Sequence, residues 1–468
     1  MNLPNKHNGD SGQLSRTCFC HHLLLAAGVL IRTAFIASDD LWYDEAFTYV
    51  VSRLPWSRFW PAILGDVHPP GWYLVTRPFV LSEVSPWMAR APAALASIAT
   101  LILFWWWIQQ ITDDKTALVG LALMALAPVQ MRYAAEARMY AALELAGLMM
   151  IVGITLKRPG WLAAGIGLAP WLQHMGWLFV GLGLAIWIIQ ERNVPRPLWI
   201  GLTIASGALA FCAYHFLVNM VAGYWMHDRS FGAYIYHALF AQFFLQNITP
   251  EFLALHVAVV GITIPLIGLL SIRRYPALAA IAWLPGLAIW IISQWRPLLV
   301  SRILLPGSPA MYFLSASAIT RLVRSDRTLA LVSLAVLPIV GGSIFNFGSG
   351  HARNPVQELY HVAAETCSTV TYTEPSGWVL SLVYAPDLDG VVWDRWTNGV
   401  NGGGLGALTE QALGMRRVSF DESDCWVFVD HALIGDGNRN EMLQASAGRD
   451  PDFVLLDDEL IGVALYRR

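Results

Sequence analysis

Residues 39–73 read DDLWYDEAFTYVVSRLPWSRFWPAILGDVHPPGWY. They carry Asp39, Asp40, Asp44, Glu45, Asp66 and His68, in a chain where only 13% of residues are charged. Apolar segments stand on both sides of this stretch, and acids beside a membrane are uncommon and tend to be functional. Residues 44–53 and 56–64 have the pattern of two short amphipathic helices, each interrupted or ended by Pro or Gly. Pro69-Pro70 breaks the chain again. Residues 71–81 are apolar but only about eleven long, too short to cross a ~30 Å hydrocarbon core at 1.5 Å per residue. They are expected to lie along the interface, with Trp42, Trp56, Trp60, Trp72 and Tyr73 at headgroup level.

The rest of the chain supports that membrane setting. Of its 468 residues, 56% are hydrophobic and 21 are Trp. A soluble domain is roughly 45–50% apolar with about 25% charged residues, so the composition defines a polytopic membrane protein. The net charge of −3 hides an asymmetry: from Gly350 onward there are 18 acids against 8 bases. So acidic a tail argues against nucleic acid as a partner.

Residues 1–20 are polar and are expected to be a disordered cytoplasmic tail. Residues 21–37 form the first apolar run, with Arg32 inside it, and lack a small-residue cleavage site, so an uncleaved span is expected. Further candidate spans are 87–108, 117–130, 139–156, 161–172, 177–189, 198–220, 252–270, 276–292, 303–319 and 329–345. That makes about eleven crossings. Lys115, Lys157, Arg158, Arg192, Arg196, Arg273, Arg274, Arg321, Arg324 and Arg327 fall in alternate loops and, with Lys6 and Arg16, mark the cytoplasmic face. The 38–85 loop, the 222–251 loop and the tail then lie outside. Arg132, Arg138, Arg229, Arg296 and Arg302 sit at outer ends and need another explanation.

The division expected is a membrane domain over 21–348 and an extracytoplasmic α/β domain over 349–468. In the latter, 356–366 has helical character, and 368–373, 390–393, 425–429, 452–456 and 461–466 read as short strands. Outside the cell Cys367 and Cys425 are candidates for a disulfide, but their spacing leaves two free thiols equally open. Gly402-Gly403-Gly404 lacks the strand–Gly–helix context of a phosphate loop and reads as a surface loop.

Chemistry requires poised groups. Transfer of a sugar onto a hydroxyl needs a base for the acceptor proton, and one carboxylate is the minimum. Adjacent helical residues point about 100° apart, so only one of Asp44 and Glu45 can face a given pocket. Asp44 is expected to, with Glu45 holding a metal, a backbone amide or the neighbouring loop. The alternative is two solvated carboxylates favouring the helix dipole. Asp66 and His68, held by prolines, are potential ligands of a divalent metal ion or a phosphate; a polar turn stiffened by Pro is the plainer reading. His227 and His237 are spare ligands. A phosphate leaving group needs fixed cations, and Arg138, Arg302 and Arg32 are the candidates. Arg132 and Glu136 are spaced to pair with each other. Glu136, Tyr140 and Glu144 are expected on one helical face that looks into the bundle.

Four motifs, LWYDEAFTYV, DVHPPGWYLV, RYAAEARMYA and SRILLPGSPAMYFL, occur in that order. Together they resemble the GT-C-type glycosyltransferases of the dolichyl-phosphate-mannose-protein mannosyltransferase superfamily, and more closely the bacterial branch of aminoarabinose transferases and Rgt-type sugar transferases. The resemblance covers about residues 23–320. It implies an all-α polytopic membrane fold in the plasma (inner) membrane with the N-terminus cytoplasmic. It also implies a polyprenyl-phosphate sugar donor, inversion at the anomeric carbon and an extracytoplasmic acceptor: a glycolipid, polysaccharide or protein. By the same resemblance Asp44, with Glu45 beside it, is the catalytic acid; Asp66 and His68 belong to a metal or phosphate region; and Arg138 and Arg302 face the lipid phosphate. The branch usually has an acid and a lysine before the two prolines, where Val67-His68 stands here. A transporter or flippase of a lipid-linked sugar is the alternative, with Arg32 and Glu144 lining a route. Repeated halves with paired broken helices, common in transporters, do not appear.

Overall fold

The computed structural model describes residues 11–37, 40–81, 85–217, 228–243, 254–295, 298–323, 325, 340–344, 357–372, 374–393, 405–418, 425–431, 453–457 and 461–467. The readings at Lys6, Asp39, His227, Arg296, Arg324, Arg327 and Gly402 to Gly404, with both ends of 222–251 and most of 329–345, lie outside them. The chain divides into two units. One comprises Met1–Ser38, Arg90–Ala210 and Asp228–Ala352, and the other Asp39–Ala89, Phe211–His227 and Arg353–Arg468.

The first unit is helical. It contains α1 (Ser11–Ala34), α5 (Ala91–Ile111), α6 (Asp114–Leu126), α7 (Pro128–Ala134), α8 (Tyr140–Thr155), α9 (Pro159–Leu172), α10 (Gly176–Glu191) and most of α11 (Arg196–Leu217). It continues with α12 (Phe231–Ala238), α13 (Ala254–Gly268), α14 (Pro276–Ser293), a 3-10 turn over Ser301–Gly307, and α15 (Ser308–Leu322). α1 begins at Ser11 rather than after residue 20, because no Pro or Gly interrupts the chain between Gly12 and Gly28. Among the described residues four helical stretches are long and apolar enough to cross a membrane: Pro86–Ile111, Arg196–His215, Pro276–Ser293 and Ser301–Leu322. α6 and α7 make a fifth if counted as one span bent by 51°. The protein is therefore multi-pass. The remaining apolar helices, such as Tyr140–Thr155 and Gly176–Glu191, are shorter.

The bend has a local cause. Ala127 precedes Pro128, whose ring excludes the helical conformation from the residue before it. Ala127 is accordingly extended (φ −63°, ψ 125°). The carbonyls at the end of α6 thereby lose their helical partners. Arg32 of α1 supplies new ones: its Nη2 donates to Met124 O at 2.9 Å and its Nη1 to Ala125 O at 3.1 Å. α8 and α9 pack through small residues, as lipid-embedded helices do; a Cβ on Gly165 would lie 2.4 Å from Ala146 O.

The second unit joins the first loop to the tail. The loop forms α2 (Tyr43–Arg53) and α3 (Trp56–Gly65), the two short helices expected from the sequence, and α4 (Gly71–Val80) over the short apolar segment. The tail forms α16 (Gln357–Thr366), β1 (Thr369–Tyr372), α17 (Pro375–Tyr384), β2 (Asp389–Trp393), α18 (Ala407–Leu413), β3 (Arg417–Val418), β4 (Cys425–His431), β5 (Phe453–Asp457) and β6 (Ile461–Arg467). The strands lie in the order β3-β2-β1-β4-β6-β5. β1 to β4 run parallel to one another, and β6 pairs antiparallel with both β4 and β5; Val370 lies opposite both Gly390 and Cys425. A disulfide joins Cys367, just before β1, to Cys425 at the start of β4. Of the strands the sequence reading lacks only β3, whose two residues are too few to show an alternating pattern; it also lacks the helices Pro375–Tyr384 and Ala407–Leu413.

Candidate active site

α2 begins where Trp42 is extended, and its first turn carries Asp44 and Glu45, where negative charge favours the helix dipole. The two carboxylates have different fates. Glu45 is fully buried, and its Oε2 accepts a hydrogen bond from the Trp42 backbone N–H at 3.3 Å. It closes the helix N-terminus, so of the roles open to Glu45 the backbone amide is one that it takes. Asp44 is only half-buried. Its backbone oxygen accepts from Thr48 Oγ1 at 2.9 Å. One of the pair is thus held inside and the other presented, as their angular separation requires.

α3 ends at Gly65, and Asp66 follows in extended conformation (φ −84°, ψ 177°). Its Oδ2 accepts from the His68 N–H at 3.3 Å and from Tyr73 Oη at 2.6 Å, and lies 3.4 Å from His68 Nδ1. The first contact is an Asx-type turn; the second reaches α4. Asp66 and His68 do come together, but one carboxylate and one imidazole are a partial ligand set for a metal. Among the described residues no group of three or more His, Cys, Asp or Glu side chains suited to a metal is found, and no step below is routed through one.

Sequence reasoning missed what holds these helices. Arg77 Nη1 donates to Ser52 O at 2.8 Å and Leu54 O at 2.7 Å, and its guanidinium lies 4.2 Å from the Trp56 ring centroid. It thereby ties α4 to the α2–α3 turn by charge-assisted hydrogen bonds and a cation–π contact. His215 Nε2 lies 3.0 Å from Ile63 O in the last turn of α3.

In the first unit the RYAAEARMYA and SRILLP motifs meet. The Arg302 guanidinium lies over the Tyr140 ring at 5.3 Å, and Tyr140 stacks edge-on against Tyr133 at 5.4 Å. Gly147 of α8 abuts Pro306 of the 3-10 turn, where a Cβ would come within 2.5 Å. Arg138 lies in the connection before α8 and is buried. Arg132 pairs with Glu136, Nε to Oε2, at 3.1 Å. Glu136 does not share a helical face with Glu144, because the helix stops at Ala134 and restarts only at Tyr140. His237 stands near enough to Arg302 to feel its charge. Burial chiefly, and the Arg302 charge as well, hold its imidazole below the ordinary value against the opposing pull of Asp228.

Arg32, a candidate for the donor phosphate, is bonded within the helical unit. It is fully buried, and besides the α6 carbonyls its Nε donates to Ser97 Oγ at 2.9 Å and its Nη1 to Gly28 O at 3.0 Å. A guanidinium so engaged has no fork left for a phosphate. Glu144 likewise looks inward. Its Oε1 accepts from Gln130 Nε2 at 2.7 Å and Ser308 Oγ at 2.5 Å.

No protein-family model matches this sequence, and no curated protein matches it. Solved structures do match. ArnT from Cupriavidus metallidurans bound to undecaprenyl phosphate is similar over 98% of this chain and 98% of its own, at 13% identity and a TM-score of 0.57. The archaeal oligosaccharyltransferase AglB from Archaeoglobus fulgidus, in complex with an inhibitory peptide and a dolichol-phosphate, is similar over 97% of this chain and 75% of its own. There the identity is 10% and the TM-score 0.51. Both belong to the GT-C superfamily, and the present chain is a multi-pass membrane protein with the GT-C fold.

Proposed function

We propose that this protein is an inverting glycosyltransferase that moves a sugar from a polyprenyl-phosphate donor to an extracytoplasmic acceptor. The observation that carries the reading is the split at the start of α2, where Glu45 is buried as the helix cap and Asp44 is half-exposed. In the step, Asp44 accepts the proton of the acceptor hydroxyl as its oxygen attacks the anomeric carbon. The bond from that carbon to the phosphate oxygen breaks, and the polyprenyl phosphate leaves with the electron pair. A single displacement inverts the centre. Arg138 and Arg302 are the cations proposed to balance the charge that develops on the phosphate. Similarity to chains crystallised with undecaprenyl phosphate or dolichol-phosphate supports a lipid-linked donor.

The sugar transferred is a hexose or a pentose. We take the shorter apolar helices as further crossings, toward the eleven expected, and the inner membrane as the location. The basic loops support an outward-facing loop and tail, and the disulfide fits an oxidising compartment. A divalent ion shared by Asp66, His68 and a donor phosphate would make turnover sensitive to a chelator. The flippase alternative loses its intramembrane route, since Arg32 and Glu144 are engaged by neighbouring groups. The test uses purified full-length protein with the radiolabelled lipid-linked sugar fraction and acceptor lipids of the source membranes. Asp44→Asn should be folded and inactive; full transfer by that variant removes Asp44 from the mechanism.

A further inference from the structure

Two contacts from the α/β tail grip the first loop just before Asp44. The Asp40 Oδ2 accepts from the Gln357 N–H, at the first residue of α16, at 2.7 Å. The Leu41 N–H donates to the Tyr384 hydroxyl at the end of α17. Two more contacts grip it just before Asp66. Thr409 of α18 is fully buried, and its Oγ1 donates to Ala62 O at 2.8 Å. There the backbones themselves touch. A Cβ on Gly406 would lie 2.2 Å from Gly65 O, and one on Gly65 would lie 2.4 Å from Thr409 N. Gly65 is the residue before Asp66. α17 also packs along α2 between these anchor points.

We infer that the α/β domain is a positioning element for the transfer reaction, with Tyr384 and Thr409 as its positioning residues. The inference rests on Asp44 being the base. Tyr384 sets the entry of the chain into α2, and Thr409 with the two glycines sets the exit from α3 into Asp66 and His68. Neither touches substrate. Each works by fixing a backbone group three or four residues before Asp44 or Asp66. Displacement of a reacting group by about 1 Å can cost on the order of a hundredfold in rate, so loss of one anchor should appear in kcat.

The test takes full-length protein in nanodiscs, with the lipid-linked sugar fraction of the source membranes as donor. Tyr384→Phe removes the hydroxyl, Thr409→Val removes the donor at constant shape, and Thr409→Ser restores it. Tyr384→Phe and Thr409→Val should each lower kcat by roughly tenfold with the donor KM unchanged, and Thr409→Ser should recover most of the rate. Amide exchange should quicken at least several-fold over residues 43–50 in Tyr384→Phe and over 62–68 in Thr409→Val, and stay unchanged in α8. Wild-type kcat together with wild-type exchange in both variants would overturn the inference. Failure of Thr409→Ser to recover any rate would do the same. Asp44→Asn separates the two levels. If it is inactive while the anchor variants turn over normally, only the positioning role falls; if it is fully active, the assignment of the base falls first.

Discussion

The guanidinium of Arg302 lies over the ring of Tyr140, 5.3 Å from its centroid. Two motifs more than 150 residues apart in sequence are thereby fastened at one point of the first unit. The ring pre-orients the planar cation, which is what bidentate recognition of a phosphate requires. Arg302→Lys keeps the charge but loses the fork and the stacking. It should lose on the order of tenfold in donor turnover, and Arg302→Ala about a hundredfold. Tyr140→Leu should fall between wild type and Arg302→Ala. Equal rates for Arg302→Lys and wild type would show that a point charge is enough.

Glu45 and Asp44 should separate cleanly on mutation. Glu45→Ala removes the acceptor for the Trp42 N–H and should cost about 1 kcal/mol of stability. It would be seen as a lowered melting temperature. Glu45→Gln still accepts that bond and should be nearly neutral, with activity retained. Asp44→Asn should do the opposite, leaving the melting temperature in place and abolishing transfer. A Glu45→Gln variant as inactive as Asp44→Asn would return Glu45 to the chemistry.

Arg32 carries a structural prediction. Three of its four hydrogen bonds join α1 to Ser97 of α5 and to the carbonyls where α6 is broken by Pro128, and the fourth returns to Gly28 of α1. Arg32→Met keeps the bulk but strands those carbonyls in a buried site. The cost should be roughly 3 kcal/mol, in the range for removing charged hydrogen bonds. Yield and melting temperature should drop, while transfer per folded molecule and donor KM stay near wild type. A selective rise in donor KM would instead support the phosphate role expected from its place inside the first apolar run.

These outcomes bear on what a single sequence discloses. The short helices of the first loop were legible because Pro55, Pro69-Pro70 and Gly65 cut the 39–73 stretch into pieces too short to span a bilayer. Four motifs were legible because each concentrates polar residues in an apolar text. The partners of Arg32 were not, since backbone carbonyls have no side-chain signature and Met124 lies 92 residues away. The break after Ala134 was not, since Ala135 and Ala137 are good helix formers and tertiary contacts override them. The anchors at Tyr384 and Thr409 were hidden for a similar reason, each meeting a main-chain group over 300 residues distant.

The disulfide should stabilise the tail locally. Cys367 and Cys425 are 58 residues apart in sequence, a loop whose closure is worth up to roughly 4 kcal/mol on a chain-entropy argument. The double variant Cys367→Ser, Cys425→Ser should lower the midpoint of denaturant unfolding followed by tail tryptophans such as Trp378. Both cysteines of the disulfide are buried, so reductant alone should act slowly. A double variant with an unchanged midpoint would mean that the sheet holds β1 against β4 unaided.

The same domain should fail at high pH. Burial raises the Tyr372 phenol to about 12 from the model-compound value of 10.0. Burial also raises Tyr360, whose hydroxyl donates to Gly377 O at 2.8 Å. In the unfolded chain both phenols lose their protons near pH 10, while in the folded chain they hold them. Above pH 10 the unfolded state therefore binds fewer protons, and stability falls as pH rises. Tyr372 alone should contribute a loss of up to about 1.4 kcal/mol per pH unit between pH 10 and 12. Tyr372→Phe and Tyr360→Phe should each flatten the decline, read as the denaturant midpoint at pH 8, 10 and 11.5. A decline equally steep in both variants would place its origin in other groups.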